Sequence, residues 1–118
     1  MKTLIFLDDE RHFHEVSWID YQQQFAMVLI YRTAQNFIDA ISGLNNIQDY
    51  VFSFDHDIQS YDEHGDVLTS DDCVKVLFKR ILEQQWNPQD LDFIVHSQNP
   101  NDRVHIENYI HDFMRHCS

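Results

Sequence analysis

The sequence contains few of the residues that interrupt a fold or cross-link it. Its 118 residues include two glycines, two prolines and two cysteines. The cysteines, Cys73 and Cys117, are far apart in the sequence and match no metal-ligand or redox spacing. We therefore expect a cytoplasmic protein that does not depend on disulfide bonds. No linker, repeat or low-complexity segment divides the chain, which predicts a single domain over residues 1–118.

Positive charge is also scarce. Eight Lys and Arg residues stand against 20 Asp and Glu, and the formal net charge is −12. A groove that follows a nucleic-acid backbone needs a basic stripe, so this charge argues against an extended nucleic-acid groove. It remains compatible with a small phosphorylated ligand, a nucleotide or a single RNA end, and the acidic surface could bind a protein partner.

Long apolar runs are missing as well. No run approaches the roughly 20 residues that a membrane span needs, so we expect no membrane association. The N-terminal run TLIFL (3–7) ends at Asp8 without a small-residue cleavage site. It therefore predicts a buried strand and not a signal peptide.

Strand-like and helix-like segments alternate along the chain. Apolar runs predict strands at 3–7, 25–32, 49–55 and 91–97. Helical spacing predicts helices at 33–43, 71–86 and from Asn99-Pro100 onward, with a weaker pattern at 15–24 and a polar loop at 59–69. This alternation predicts an α/β fold, a parallel sheet of about four strands with helices on both faces.

Polar residues follow three of the predicted strands at the point where each ends. They are Asp8 and Asp9 after the first strand, Asp55, His56 and Asp57 after the third, and His96, Ser97 and Asn99 after the fourth. Ligands of such sheets bind at the carboxyl ends of the strands. We therefore expect these side chains to form one site at that edge.

The carboxylates of this edge would repel each other without a countercharge. A divalent cation such as Mg²⁺ or Mn²⁺, bound by Asp8, Asp9, Asp55 and Asp57, would supply one, because hard cations prefer carboxylate oxygens. Positively charged histidines would supply another, and the two can coexist.

Phosphate chemistry fits the same edge. The free N–H groups at the start of the last helix form an anion site, with Ser97, Asn99, Arg11 and Arg103 as further phosphate ligands. His56 and His96 are candidates for the general acid and base, and Asp55 is a third catalytic candidate.

Three motifs together resemble one known family. They are LDDER (7–11), SFDHDI (53–58) and HSQNP (96–100), which in this order are similar to the cyclic-phosphate processing receiver-like domains, diverged relatives of response-regulator receivers. The resemblance implies a receiver-like, flavodoxin-like three-layer sandwich. It also implies a hydrolase, a phosphodiesterase that processes a cyclic phosphate on a nucleotide or at an RNA 2′,3′-cyclic phosphate end. Two family glycines are replaced, one by Gln59 and one within NDR (101–103).

Two other functions remain open at this point. A signalling receiver would be phosphorylated on Asp55, but that mechanism normally uses a lysine at the end of a fifth strand, and no lysine follows Lys79. The third possibility is a non-catalytic module that binds a nucleotide or a protein, such as a phage-encoded inhibitor.

Overall fold

The strands and helices follow the predicted order in the computed structural model, which describes residues 2–9, 25–55, 60–61, 64–97 and 100–116. Within these ranges the strands are β1 (Thr3–Leu7), β2 (Met27–Tyr31), β3 (Tyr50–Phe54), β4 (Ser60–Tyr61), β5 (Val67–Leu68) and β6 (Phe93–Val95). The helices are α1 (Ala34–Ser42), α2 (Ser70–Gln84) and α3 (Pro100–His116), with a 3₁₀ turn at Pro88–Asp90. The weak helical pattern at 15–24 lies outside the described residues.

Local signals explain where the helices begin and end. The Thr33 hydroxyl accepts a hydrogen bond from the Asn36 N–H at 3.1 Å, and Gly43 closes α1, as predicted. A capping box starts α2, in which Thr69 and Asp72 bond to each other's backbone N–H groups. Pro100 is the first residue of α3, where its missing N–H costs nothing.

The main sheet is parallel, with the strand order β2-β1-β3-β6. From β1 the chain goes to β2 on one side, and after α1 it enters β3 on the other side. The strand order therefore reverses between β1 and β3, and a ligand crevice is expected at their carboxyl ends. The predicted receiver-like α/β fold is confirmed.

Both faces of the sheet are buried. Ile5 and Leu7 of β1 lie in register with Phe52 and Phe54 of β3, and their shared face carries the larger core cluster. All three described helices contribute to that cluster, with Phe37, Ile41, Leu77, Ile81, Ile106 and Ile110 among its members. The opposite face carries a second cluster, which contains Leu4, Phe6 and Val51. Alternation along each strand also directs Asp8 and Ser53 to this second face.

The predicted polar loop at 59–69 differs from the structure. Strands β4 and β5 pair there as a small antiparallel hairpin, with Tyr61 opposite Val67. Gly65 has a φ of +83°, which suits the turn between the two strands. Strands of two residues are too short to show an alternating pattern, and so the hairpin was not predicted.

None of the helices in the described ranges is long and apolar enough to cross a lipid bilayer.

Candidate functional site at the carboxyl edge of the sheet

Three aspartates stand at the ends of the two central strands. Asp8 and Asp9 follow β1, and Asp55 follows β3. The sheet holds two of them by backbone hydrogen bonds, because the Asp8 N–H donates to the Tyr31 carbonyl at 3.1 Å and the Asp55 N–H to the Leu7 carbonyl at 3.0 Å. The Asp8 and Asp55 side chains are buried, whereas Asp9 is exposed. The strand ends thus place three carboxylates at the same edge of the sheet, two of them on residues held by the sheet.

These carboxylates are close enough to share a cation. One oxygen from each lies within 4.8 Å of the others. Two oxygens that bind the same Mg²⁺, each about 2.1 Å from it, are about 3–4 Å apart. A small inward movement would therefore let Asp8, Asp9 and Asp55 bind one divalent cation, and carboxylate oxygens are the donors that Mg²⁺ and Mn²⁺ prefer.

Neighbouring elements brace the backbone of this cluster. The Arg32 guanidinium, just beyond β2, donates to the Asp8 carbonyl at 3.2 Å. The hydroxyl of Ser70, the first residue of α2, donates a hydrogen bond to the Asp55 carbonyl. Ser70 is fully buried, so this bond connects the start of α2 directly to the end of β3.

His96 lies beneath the carboxylates and is 0% exposed. Its Nε2 lies 3.2 Å from Oδ2 of Asp8, and its Nδ1 lies 2.7 Å from Oγ of Ser53. The imidazole also stacks on the Phe6 ring, with the centroids 4.4 Å apart. Because β3 lies between β1 and β6, the His96 side chain crosses β3 to reach Asp8. Both ring nitrogens therefore contact protein groups.

Ser97 is buried next to His96, with 1% of its surface exposed. Within the part of the chain that the structure describes, its hydroxyl has no hydrogen-bond partner. A buried hydroxyl without a partner costs about 1–3 kcal/mol, and it calls for an explanation such as a ligand. Helix α3 starts three residues later, so its N-terminal end lies on the same side of the sheet.

The predicted site residues divide into three groups. The structure brings Asp8, Asp9 and Asp55 together, joins His96 to Asp8, and buries Ser97 at the same edge. Arg103 lines a groove of about 520 Å³ between β6 and α3. The remaining predicted site residues, Arg11, His56, Asp57 and Asn99, lie outside the described residues.

Two serines that contact the site were not predicted. Ser53 contacts His96, and its signal was a polar residue within the otherwise apolar run Val51–Phe54. Ser70 carries no comparable signal, because a serine at the start of a helix is ordinary.

The comparison with known proteins agrees with the motifs. The family model for the cyclic-phosphate processing receiver domain matches residues 3–112, nearly the whole chain. The chain has no significant match among curated proteins or solved structures. The matched range contains every strand described above, the three aspartates of the cluster and His96. The chain therefore belongs to the family of cyclic-phosphate processing receiver domains.

Proposed function

We propose that this domain is a cation-assisted phosphodiesterase that opens a cyclic phosphate, on a nucleotide or at an RNA 2′,3′-cyclic phosphate end. One observation carries the proposal: Asp8, Asp9 and Asp55 offer oxygens within 4.8 Å of one another at the point where the strand order reverses. A cytoplasmic location, expected from the sequence, belongs to the same proposal.

A Mg²⁺ or Mn²⁺ ion in this cluster would neutralise phosphate charge and polarise the P–O bonds. The chain itself contributes the three carboxylates that would bind the ion. Asp8 and Asp55 are held by backbone hydrogen bonds of the sheet, and Asp9 is exposed to solvent. Asp57 is a further proposed ligand of the ion.

Phosphate binding is assigned to the side of the edge formed by β6 and α3. The buried Ser97 hydroxyl, which has no partner among the described residues, is a donor for a non-bridging phosphate oxygen. The N–H groups in the first turn of α3 would support it, because a helix N-terminus attracts anions. Arg11, Asn99 and Arg103 are further proposed phosphate ligands.

The proposed reaction is a hydrolysis. A water oxygen attacks phosphorus, the bond from phosphorus to one ring oxygen breaks, and the product is a phosphate monoester. The base takes one proton from the water, and the released oxygen receives one proton. We assign this proton transfer to His56, with Asp55 beside the reacting water. An acid–base role of His96 stays a prediction, and its buried contacts favour support of Asp8 instead.

The position of Asp55 also suits phosphorylation, since it lies beside two acidic residues that could hold Mg²⁺. The receiver mechanism further needs a lysine at the sheet edge, whereas His96 follows β6 and no lysine follows Lys79. Hydrolysis is therefore the preferred function. A non-catalytic binder of nucleotides or proteins would use the same crevice without turnover.

The proposal is tested with 2′,3′-cyclic nucleotides, RNA with 2′,3′-cyclic ends and cyclic dinucleotides, with and without Mg²⁺ or Mn²⁺. We expect cation-dependent turnover by the wild type and its loss in Asp55→Asn. The matched control is Asp39→Asn, which changes charge equally at an exposed position of α1. Absence of turnover by the wild type, or equal turnover in Asp55→Asn, would exclude the enzyme.

Labelling by acetyl phosphate that is lost in Asp55→Asn would establish the receiver function instead. Ligand retention without turnover would establish the binder.

A further inference from the structure

A buried network of three side chains lies under the proposed cation site. Asp8, Ser53 and His96 are each 0% exposed, and His96 contacts the other two through its opposite ring nitrogens. Polar groups this deep are costly unless they are paired, so each contact in the network has a large effect on the others.

Ser53 provides the space that this network needs. It lies in register with Phe6 of β1 and Ile94 of β6, and residues in register share a sheet face. The His96 ring crosses β3 on this face to reach Asp8. A phenylalanine at position 53, like Phe52 and Phe54 on either side of it in the strand, would fill the space that the imidazole occupies.

Ser53 also completes the hydrogen bonding of the ring. The carboxylate of Asp8 can only accept a hydrogen bond, so Nε2 of His96 must carry the hydrogen that faces it. The Ser53 hydroxyl can either donate or accept, so it satisfies Nδ1 of His96 whether that nitrogen carries a hydrogen or not. Contacts at both nitrogens fix the ring in one orientation, which in turn fixes the orientation of Asp8.

We infer that Ser53 is a positioning residue, which acts through His96 to hold the Asp8 carboxylate in its orientation towards the cation site. The consequence for cation binding rests on the proposed function, whereas the hydrogen-bond arrangement does not. Residues that bind a metal ion are held in place by hydrogen bonds from neighbouring residues that do not touch the metal. The loss of such a hydrogen bond typically weakens metal binding by about 10–100-fold.

The arrangement itself is tested by ¹⁵N NMR of the imidazole nitrogens in the cation-free protein. His96 signals are assigned by their absence from His96→Leu. We expect Nε2 to carry a hydrogen. A neutral ring with the hydrogen on Nδ1 alone would overturn the inference, because Nε2 could then not donate to Asp8.

The consequence is tested by Mn²⁺ affinity, measured from the electron paramagnetic resonance signal of free Mn²⁺. Ser53→Ala should weaken Mn²⁺ binding by about 3–10-fold, a smaller loss than removal of His96, which contacts Asp8 directly. Ser53→Thr keeps the hydroxyl and should bind Mn²⁺ almost as tightly as the wild type. Val51→Ala is the control, a truncation on the same strand and face that should lower thermal stability without changing affinity.

Four outcomes bear on the positioning role of Ser53. Wild-type affinity in Ser53→Ala, or an equal loss in Val51→Ala, would refute the positioning role. In a His96→Leu background, Ser53→Ala should cause no further loss, and a persisting loss would show that Ser53 acts by another route. If the wild type binds no Mn²⁺, the proposed function fails, and the NMR result alone decides the inference.

Discussion

At the residue scale, three buried serines at the site edge have different surroundings. Ser53 contacts the His96 ring, Ser70 donates to the Asp55 carbonyl, and Ser97 has no hydrogen-bond partner within the described residues. All three are almost completely buried. The three serines are equally buried, so their different roles come from their different hydrogen-bond partners.

Truncation of Ser70 should lower stability, whereas truncation of Ser97 should not. Ser70→Ala removes the bond to the buried Asp55 carbonyl and should lower the free energy of unfolding by about 1–3 kcal/mol. Ser97→Ala removes a buried hydroxyl that has no partner among the described residues, and it should leave the free energy of unfolding unchanged or raise it. Urea denaturation of both variants without ligand measures this. A similar loss in both would mean that Ser97 is hydrogen-bonded in the free protein.

Cys73 gives a pH-dependent prediction. Burial, and secondarily the charge of Asp72, raises the pKa of its thiol from near 9 to about 12. A raised pKa in the folded state means that this group leaves stability unchanged below pH 9. Between pH 9 and 12 stability falls, because only the unfolded state releases the proton.

The wild type should therefore lose more stability than Cys73→Ala between pH 9 and 10.5, as measured by urea denaturation. All other side chains are the same in the two proteins, so the difference between their pH profiles isolates the thiol. Parallel pH profiles of the two proteins would be inconsistent with a buried, protonated Cys73.

At the scale of elements, local signals determine what the sequence predicts. The run at 3–7 predicts β1 with its observed bounds, and Thr33 and Gly43 predict both ends of α1. The sequence does not predict the hairpin at Ser60–Leu68, because its strands have only two residues each and lie in a polar segment. The turn between them contains Gly65. Elements with a clear local pattern, such as β1 and α1, are thus predictable from the sequence. The hairpin, whose short strands are recognised only by their pairing with each other, is not.

The capping box of α2 should contribute measurably to stability. The Thr69 hydroxyl accepts from the Asp72 N–H, so Thr69→Ala should lower the free energy of unfolding by about 1 kcal/mol. Thr69→Ser keeps the hydroxyl and should remain close to the wild type. Chemical denaturation of both variants checks this, and a full-stability Thr69→Ala would show that the cap contributes nothing.

At the scale of the whole molecule, topology assembles the site. The sequence places Asp8, Asp9 and Asp55 at strand ends, and they lie close together because β1 and β3 are neighbours in the sheet. Side-chain direction was not predictable in the same way. His96 turns inward to Asp8 because β6 lies on the far side of β3 and because Ser53 leaves room between them.

Because the molecule is strongly acidic, cation binding should also raise the stability of the fold. With a net charge of −12 and three clustered carboxylates, the free protein contains repulsion that Mg²⁺ should relieve. A cation at about 100 times its Kd would stabilise the fold by about 2.7 kcal/mol. Thermal unfolding should therefore show a higher Tm with MgCl₂ than with NaCl at equal ionic strength.

Asp55→Asn is the matched variant for this measurement. It should be at least as stable as the wild type without Mg²⁺, because one repelling charge is gone, and it should lose most of the response. An equal Mg²⁺ response in both proteins would place the stabilising cation elsewhere.

The most direct test of the account is ³¹P NMR of a 2′,3′-cyclic nucleotide incubated with the protein and Mg²⁺. The wild type should convert the cyclic phosphate signal into a monoester signal. Asp9→Asn, an exposed change that spares the core, should be slower by about 10²-fold. An unchanged cyclic signal with the wild type, or an equal rate with Asp9→Asn, would contradict a cation-assisted phosphodiesterase at this edge of the sheet.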